Sequence, residues 1–238
     1  MSAFFTTRLG GVSQPPYDTA NLAFHVGDKA EDVIRNHDLL AASAGYDRHR
    51  LIHMRQIHSD RIVIADESLT FDTPPECDAL ITNVPNLPLM VMSADCTPIL
   101  LYDPITRSIG AVHAGRAGAL AEILPKTIRK MGEAFGSRMS DLYITMGPSI
   151  HGCCYEINDQ IAADVVASGY PAALRSEEGK VYLDVNTVLK TQLERMGFPS
   201  NRLEIIDECT ACRCDTYFSY RADRQRTGRI GGIIMLRA

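Results

Sequence analysis

The sequence predicts an α+β fold, a layered sandwich of helices and mixed β-sheets. Strand-like and helical segments interleave along the chain, but without the strict βαβ repeat of a Rossmann fold. Some strands are joined directly by short turns, as at Asp103-Pro104. No Pro/Gly/Ser-rich linker, internal repeat or low-complexity tract divides the chain, so we expect a single domain over residues 1–238.

The first half of the chain is predicted to contain several strands and one helix. A strand-like run, SAFFTTR, precedes the loop LGGVSQPPYDTANLAFHVGD, and a loop of this length is usually functional or disordered. The spacing of Val33, Leu39 and Leu40 predicts a helix that ends at Gly45. Apolar runs predict further strands in RLIHMRQIHSDRIVIADE, LPLMVMSADCTPILLYDP and SIGAVHAG.

The second half is predicted to contain three helices and three strands. The first helix places one apolar stripe on its surface: Leu120, Ile123, Leu124, Ile128, Met131 and Phe135. Pro125 must then occupy its first turn or kink it. Asn158 and Asp184 are expected N-caps of the other two helices, which end at Gly169 and Gly197. Strands are expected in DLYITMGPSI, RLEIID and RIGGIIML.

Composition excludes several classes of protein. The chain is 45% hydrophobic and 22% charged, which is typical of a globular protein with a large core. Its formal charge of −5 is spread without long like-charge blocks, so no nucleic acid or membrane partner is expected. No apolar run approaches the roughly 18 residues of a membrane span. We expect a cytoplasmic protein whose seven cysteines are reduced thiols or metal ligands.

Three residues that can bind a metal lie where apolar runs turn polar: His58, Cys96 and His113. Each of these residues is expected at the end or edge of a strand. If these three strand ends converge, one thiolate and two imidazoles give a suitable ligand set for Zn²⁺, with a fourth position open for water. Spacing alone leaves the ordinary alternative open, since a single cysteine is often a small core residue and a histidine is often only hydrogen-bonded.

Nine motifs occur in the order found in the YfiH/laccase-domain family, which the sequence resembles over nearly its whole length. They are FFTTRLGGVS, NLAFHVGD, QIHSDRIV, CDALIT, SADCTPILLYDP, VHAG, GPSIHGCCYEI, CTAC and YFSYRADRQRTGR. The resemblance implies an α/β/β/α sandwich, related to bacterial toxins that act as cysteine hydrolases. It also implies that His58, Cys96 and His113 are the metal ligands and the catalytic centre.

The resemblance also implies a substrate pocket. Arg8, Asn21 and Arg221 are expected to be pocket members. The family usually has His-Ala-Gly-Trp-Arg-Gly, where this chain has His-Ala-Gly-Arg-Ala-Gly from residue 113. Arg116 is therefore expected to bind an anionic substrate group, although it cannot stack as an indole does.

The motif CTACRC, with Cys209, Cys212 and Cys214, has C-x-x-C spacing and raises the possibility of a second metal or redox site. It lacks a second paired cluster of the kind found in structural zinc sites, and Cys153-Cys154 cannot be placed beside it from sequence. We therefore expect these residues to be reduced structural thiols.

The resemblance implies purine nucleoside metabolism: zinc-dependent phosphorolysis of adenosine, inosine, guanosine or methylthioadenosine, and deamination of adenosine. The expected partners are a small purine nucleoside and phosphate, and the expected assembly is a monomer or homodimer. A copper-dependent, laccase-like polyphenol oxidase is one alternative, with Cu²⁺ at the same ligands. The sequence opposes multicopper chemistry, however, because it contains no H-x-H pair. The other alternative is a cysteine hydrolase or a peptidoglycan-precursor editing factor, with Cys96 as nucleophile and His113 as base.

Overall fold

The computed structural model describes residues 1–238 and contains thirteen β-strands and five α-helices. The strands are β1 Ser2–Phe5, β2 Ile52–His53, β3 Ile62–Ile64, β4 Ala79–Thr82, β5 Leu89–Ser93, β6 Thr97–Asp103, β7 Ser108–Ala114, β8 Tyr143–Met146, β9 Glu156–Ile157, β10 Leu174–Glu177, β11 Lys180–Leu183, β12 Leu203–Ile205 and β13 Ile230–Met235. The helices are α1 Ala30–Ala44, α2 Arg116–Leu120, α3 Ile123–Phe135, α4 Asp159–Ala167 and α5 Val185–Met196.

The strands form three sheets. A four-stranded sheet has the order β1-β13-β5-β2 and a six-stranded sheet the order β12-β8-β6-β7-β4-β3. Both contain parallel and antiparallel pairs, because β2 runs parallel to β5, while β3 and β12 run parallel to β4 and β8. The third sheet, β10-β11-β9, is small and antiparallel. The prediction of an α+β fold with mixed sheets is confirmed.

Alternating side chains on the strands build the layers. In β5, Leu89 and Val91 pack between the two large sheets, whereas Met90 and Met92 pack on the opposite side, with Leu40 of α1. In β6, Leu100 faces the same inter-sheet core, while its neighbours pack against α3 and α5. Because both faces of each large sheet are buried, these strands read as continuous apolar runs. The layer order is helix, sheet, sheet, helix, as the resemblance implies.

The predicted long helix in the middle of the chain is two helices. Glu122 adopts a left-handed backbone conformation, with φ of 60°, which ends α2 and redirects the chain into α3. Pro125 then lies in the first turn of α3, where a missing amide hydrogen costs nothing, so no kink is needed. The predicted caps are confirmed, since Asn158 accepts from the amide of Ile161 and Asp184 from that of Thr187.

The small sheet of β9, β10 and β11 was not predicted from the sequence. Its strands are short and largely exposed, so they lack the alternating apolar pattern by which strands are recognised. The β10–β11 hairpin turns at Glu178-Gly179, both with positive φ, which is typical of a tight two-residue turn. No helix in the fold is both long enough and apolar enough to cross a membrane.

Candidate metal centre and its cavity

The paired strands β6 and β7 bring Cys96 and His113 together. Thr97 pairs with Ala114 and Pro98 with His113 in the antiparallel register, so the residue before β6, Cys96, lies beside the end of β7. His58 reaches the same point from the loop between β2 and β3. The ligand atoms of His58, Cys96 and His113 all lie within 4.8 Å of one another.

Asp78 organises two of these three residues. Its buried carboxylate accepts a 2.8 Å hydrogen bond from Nδ1 of His113, which leaves Nε2 as the free ring nitrogen. The same carboxylate accepts the amides of Ile57, His58 and Ser59 at 3.3, 3.0 and 2.7 Å, and so fixes the loop that carries His58. A carboxylate that orients a histidine in this way is the usual partner of a metal-binding imidazole.

The electrostatics of the cluster favour an ionised sulfur. Burial alone would raise the pKa of the Cys96 thiol, but the His113 and His58 imidazoles lower it to about 6. Burial alone would lower the pKa of His113, but Cys96 and Asp78 raise it to about 9. Burial also opposes ionisation of Asp78, yet the hydrogen bonds from His113 and Ser59 lower its pKa to about 2. The site is therefore built to hold a thiolate next to a positive charge.

The donor set fits a bound metal ion such as Zn²⁺. One thiolate and two imidazoles from three different chain segments converge, and three protein ligands leave a position for water or substrate. Gly115 leaves the necessary space, because a Cβ atom at this position would lie 2.8 Å from Sγ of Cys96 and 3.3 Å from Cδ2 of His58. His58, Cys96 and His113 are thus the residues that would hold the ion.

The three residues lie in the wall of a cavity of about 490 Å³. This volume lies within the usual range of small-molecule sites. The wall also carries cationic and aromatic groups: Arg116, Arg221, Arg229, Tyr155 and Tyr220. The cavity therefore joins a metal-ligand set to groups that suit an anion and a flat ring.

Two of the cavity arginines are fixed by backbone carbonyls. Arg221 donates to the carbonyl oxygens of Cys154 and Glu156 at 3.3 and 2.9 Å. Arg229 donates to that of Gly228 at 2.8 Å. Burial lowers the pKa of Arg229, and the nearby Cys96 and Asp95 act in the opposite direction. Guanidinium groups fixed in this way are preorganised to bind a multiply charged anion.

Asp95 has a positional role in the cavity wall. Its backbone has a φ of 90°, so the segment turns here instead of continuing as a regular strand. Its carboxylate accepts hydrogen bonds from the hydroxyls of Thr210 and Ser219 and from the amide of Arg221, each at 2.7 Å. These bonds tie the segment between β12 and β13 to the residue next to Cys96.

The structure places Arg116 and Arg221 in the cavity, as expected, but Arg8 and Asn21 lie outside it. Arg8 donates to the carbonyl of Cys214 and lies over the Phe218 ring, 4.7 Å from its centroid. The side-chain oxygen of the fully buried Asn21 accepts the amide of Arg229 at 3.0 Å. Neither residue is among those that line the cavity, so their role as pocket members stays a prediction.

Several lining residues were missed or undervalued by sequence analysis: His25, Gln56, Tyr155, Tyr220 and Arg229. His25 lies in the long N-terminal loop that the sequence marked as functional, but nothing in its spacing linked it to His58. Tyr155 follows a turn and Tyr220 lies in one, and no periodicity there indicates which way a side chain points. Only their presence within the quoted motifs GPSIHGCCYEI and YFSYRADRQRTGR could have suggested them.

Four cysteines that could not be placed together from sequence are neighbours in the fold. The structure brings Cys153 and Cys154 beside Cys209 and Cys212, with all four sulfur atoms within 4.8 Å of one another. Cys214 is exposed and does not join this group.

Comparisons with known proteins agree with this architecture. A purine nucleoside phosphorylase of Streptomyces coelicolor is 37% identical over 232 residues, which cover 98% of this chain and 94% of the relative. A purine nucleoside phosphorylase of Corynebacterium glutamicum is 38% identical over 235 residues, covering 98% and 93%. The crystal structure of the hypothetical protein YfiH of Bacillus licheniformis superposes with a TM-score of 0.94 at 32% identity, covering 98% of this chain and 92% of that one. The family described as multi-copper polyphenol oxidoreductase laccase matches residues 2–237, so the chain belongs to this laccase-like YfiH family.

Proposed function

We propose that the protein is a zinc-dependent purine nucleoside phosphorylase that also deaminates adenosine. The observation that carries the proposal is the cluster of His58, Cys96 and His113 in the wall of a cavity that also presents three arginines. The names of the Streptomyces and Corynebacterium relatives support the same class of reaction. We propose adenosine, inosine, guanosine and methylthioadenosine as the nucleosides cleaved.

The cavity residues suit the two substrates of phosphorolysis. Guanidinium groups bind phosphate oxygens in pairs, and Arg116, Arg221 and Arg229 all line the same cavity. Tyr155 and Tyr220 supply aromatic surfaces for a purine. Binding phosphate and nucleoside side by side places the nucleophile next to C1′ of the ribose, which lowers the entropic part of the barrier.

The ligand cluster suits the second reaction as well. When bound, zinc supplies a Lewis acid and activates water at neutral pH, which is the requirement for attack on C6 of adenine. Asp78 holds His113 in one orientation, and Gly115 keeps the sulfur of Cys96 accessible. Asp95 is already occupied by three hydrogen bonds, so we assign it to positioning and not to proton transfer.

The test is metal analysis combined with product analysis. The protein, purified without chelator, is expected to contain one more zinc equivalent than the Cys96→Ala variant, and to release free base from inosine only when phosphate is present. Zinc content that is the same in the Cys96→Ala variant would contradict the assignment of the ligand. Copper in place of zinc, with oxidation of a phenol and no release of base, would favour a polyphenol oxidase.

A cysteine hydrolase is the second candidate, because Cys96, His113 and Asp78 are also arranged as a nucleophile, a base and an orienting carboxylate. The two functions differ in the availability of the sulfur, since a thiolate that binds zinc cannot attack a substrate. Rapid alkylation of Cys96 in the metal-loaded protein would favour the hydrolase. Alkylation only after treatment with a chelator would support the metalloenzyme.

Arg116→Ala is expected to weaken the use of phosphate roughly tenfold to a hundredfold, because a charge-assisted hydrogen bond contributes about 1.5–3 kcal/mol. The change should appear mainly in the KM for phosphate, with zinc content unaffected. Arg138→Ala is the matched control, since Arg138 is exposed and paired with Asp141 away from the cavity. Equal kinetics of the two variants would show that Arg116 only faces solvent.

A further inference from the structure

We propose that Cys153, Cys154, Cys209 and Cys212 form a second zinc site, structural in kind, that fastens together two loops of the cavity wall. The first two cysteines lie in the turn between β8 and β9, and the other two follow β12. Their sulfur atoms converge from segments that are distant in sequence. The cluster is separate from His58, Cys96 and His113, and it has no part in the proposed reaction.

Three of the distances between the sulfur atoms are close to those of a tetrahedral cage, and the sulfur of Cys209 lies within 4.8 Å of the other three. Sγ of Cys153 lies 3.7 Å from Sγ of Cys154 and 3.7 Å from that of Cys212, and the latter two lie 3.4 Å apart. Four thiolates bound to zinc at about 2.3 Å in a tetrahedron are separated by about 3.8 Å. A disulfide requires a separation of about 2.05 Å. Four protein ligands also leave no open position, which is the mark of a structural site.

The backbone around Cys209 supports a thiolate. Cys209 and Cys212 have the C-x-x-C spacing common in zinc sites, and the amide of His151 donates to Sγ of Cys209 at 3.4 Å. A divalent cation would remove the repulsion that prevents several thiolates from forming together.

Positive charge lies close to the proposed site. Arg175 donates to the carbonyl oxygen of Gly152 at 3.2 Å, and Arg221 donates to that of Cys154 at 3.3 Å. A zinc ion with four thiolates carries a net charge of −2, so two guanidinium groups that bind the loop of Cys153 and Cys154 favour the complex. Neither arginine competes for the sulfur atoms, because both bind carbonyl oxygens.

The site would cross-link two segments of the cavity wall that consist of turns. Cys153, Cys212 and Cys214 are exposed, and the segments that carry the cluster consist of turns. Tyr155 follows Cys154 directly, and Thr210 follows Cys209 and donates to Asp95. A metal cross-link between these loops would supply the order that burial of apolar side chains supplies elsewhere.

The experiment counts and identifies zinc in the full-length protein and three variants purified under reducing conditions without chelator. His58→Ala/His113→Ala removes two ligands of the first site, and Cys154→Ser/Cys212→Ser removes two of the second. Cys214→Ser is the matched control from the same segment. We expect about one zinc per chain in His58→Ala/His113→Ala, with X-ray absorption showing four sulfur neighbours at about 2.3 Å. Cys214→Ser should have the zinc content of the unmodified chain.

The outcomes separate this proposal from the proposed function. If the first site binds no zinc, the unmodified chain still contains one equivalent with four sulfur ligands, and only the function proposal fails. Loss of all zinc in His58→Ala/His113→Ala, or a Cys154–Cys212 disulfide in the mass spectrum of the unreduced protein, would overturn the second site. If Cys154→Ser/Cys212→Ser does not fold, the absorption spectrum of His58→Ala/His113→Ala still decides.

Discussion

Replacing His113 with alanine is expected to remove one zinc equivalent and to abolish phosphorolysis and deamination together. His113 is buried, supplies one of three ligand atoms, and is the only one of the three that is oriented by a side chain, through Nδ1 and Asp78. With two ligands left, the ion is lost or misplaced. Zinc content and steady-state rates for both reactions, measured on protein of checked fold, give the result.

His53→Ala is the matched control for the loss of a buried imidazole. His53 is also buried and hydrogen-bonds the carbonyl of Phe71, but it lies outside the ligand cluster. The His53→Ala variant should be less stable than the unmodified chain and should retain the zinc of the first site. If His113→Ala retained this zinc and either activity at near the original rate, the single-metal mechanism would be wrong. Loss of deamination alone would show that other groups carry phosphorolysis.

Replacing Asp78 with asparagine is expected to weaken zinc binding at the first site by roughly tenfold to a hundredfold, the usual effect of losing a residue that orients a ligand. The carboxylate accepts hydrogen bonds from His113, from the Ser59 hydroxyl and from three consecutive amides. An asparagine amide group has only one acceptor oxygen, and its NH₂ would face donors. We therefore also expect a loss of about 3 kcal/mol in the free energy of unfolding.

Asp103→Asn separates the two effects. Asp103 is also fully buried and accepts the amides of Ile105 and Thr106, but it lies at the far end of the β6–β7 hairpin. Its replacement should reduce stability in denaturant titrations and leave zinc affinity unchanged in a competition assay. Equal zinc affinity in Asp78→Asn and the unmodified chain would show that His113 does not depend on this carboxylate.

Much of the fold could be predicted because its signals are local. Asn158 and Asp184 cap their helices by accepting hydrogen bonds from amides three residues away. Such caps can be recognised from a short stretch of sequence. The large sheets could be recognised because their strands are buried on both faces and read as apolar runs. The break at Glu122 could not be recognised, since the apolar stripe continues through this residue. Only the backbone conformation of Glu122 separates α2 from α3.

The candidate ligands were predictable for a different reason. Apolar runs end at these residues: His58, Cys96 and His113. Nine ordered motifs resemble those of a known family, so these residues could be selected as candidates from the sequence. The support around them was not predictable. Asp78 lies in the quoted motif CDALIT, but the motif does not show what its carboxylate contacts, because the three amides and the imidazole meet it only after folding.

By itself the sequence determined the α+β class, the mixed sheets and the residues that could bind a metal. These properties depend on periodicity and capping, which are local signals within a few residues, and on the order of motifs, which can be read along the whole sequence. Only the tertiary structure decided that Arg229 lines the cavity and that Arg8 and Asn21 are not among its lining residues. It also decided that Cys153 and Cys154 meet Cys209 and Cys212. The physical reason is that turns have no period, so the positions of their side chains are set by long-range contacts such as those of Asp95.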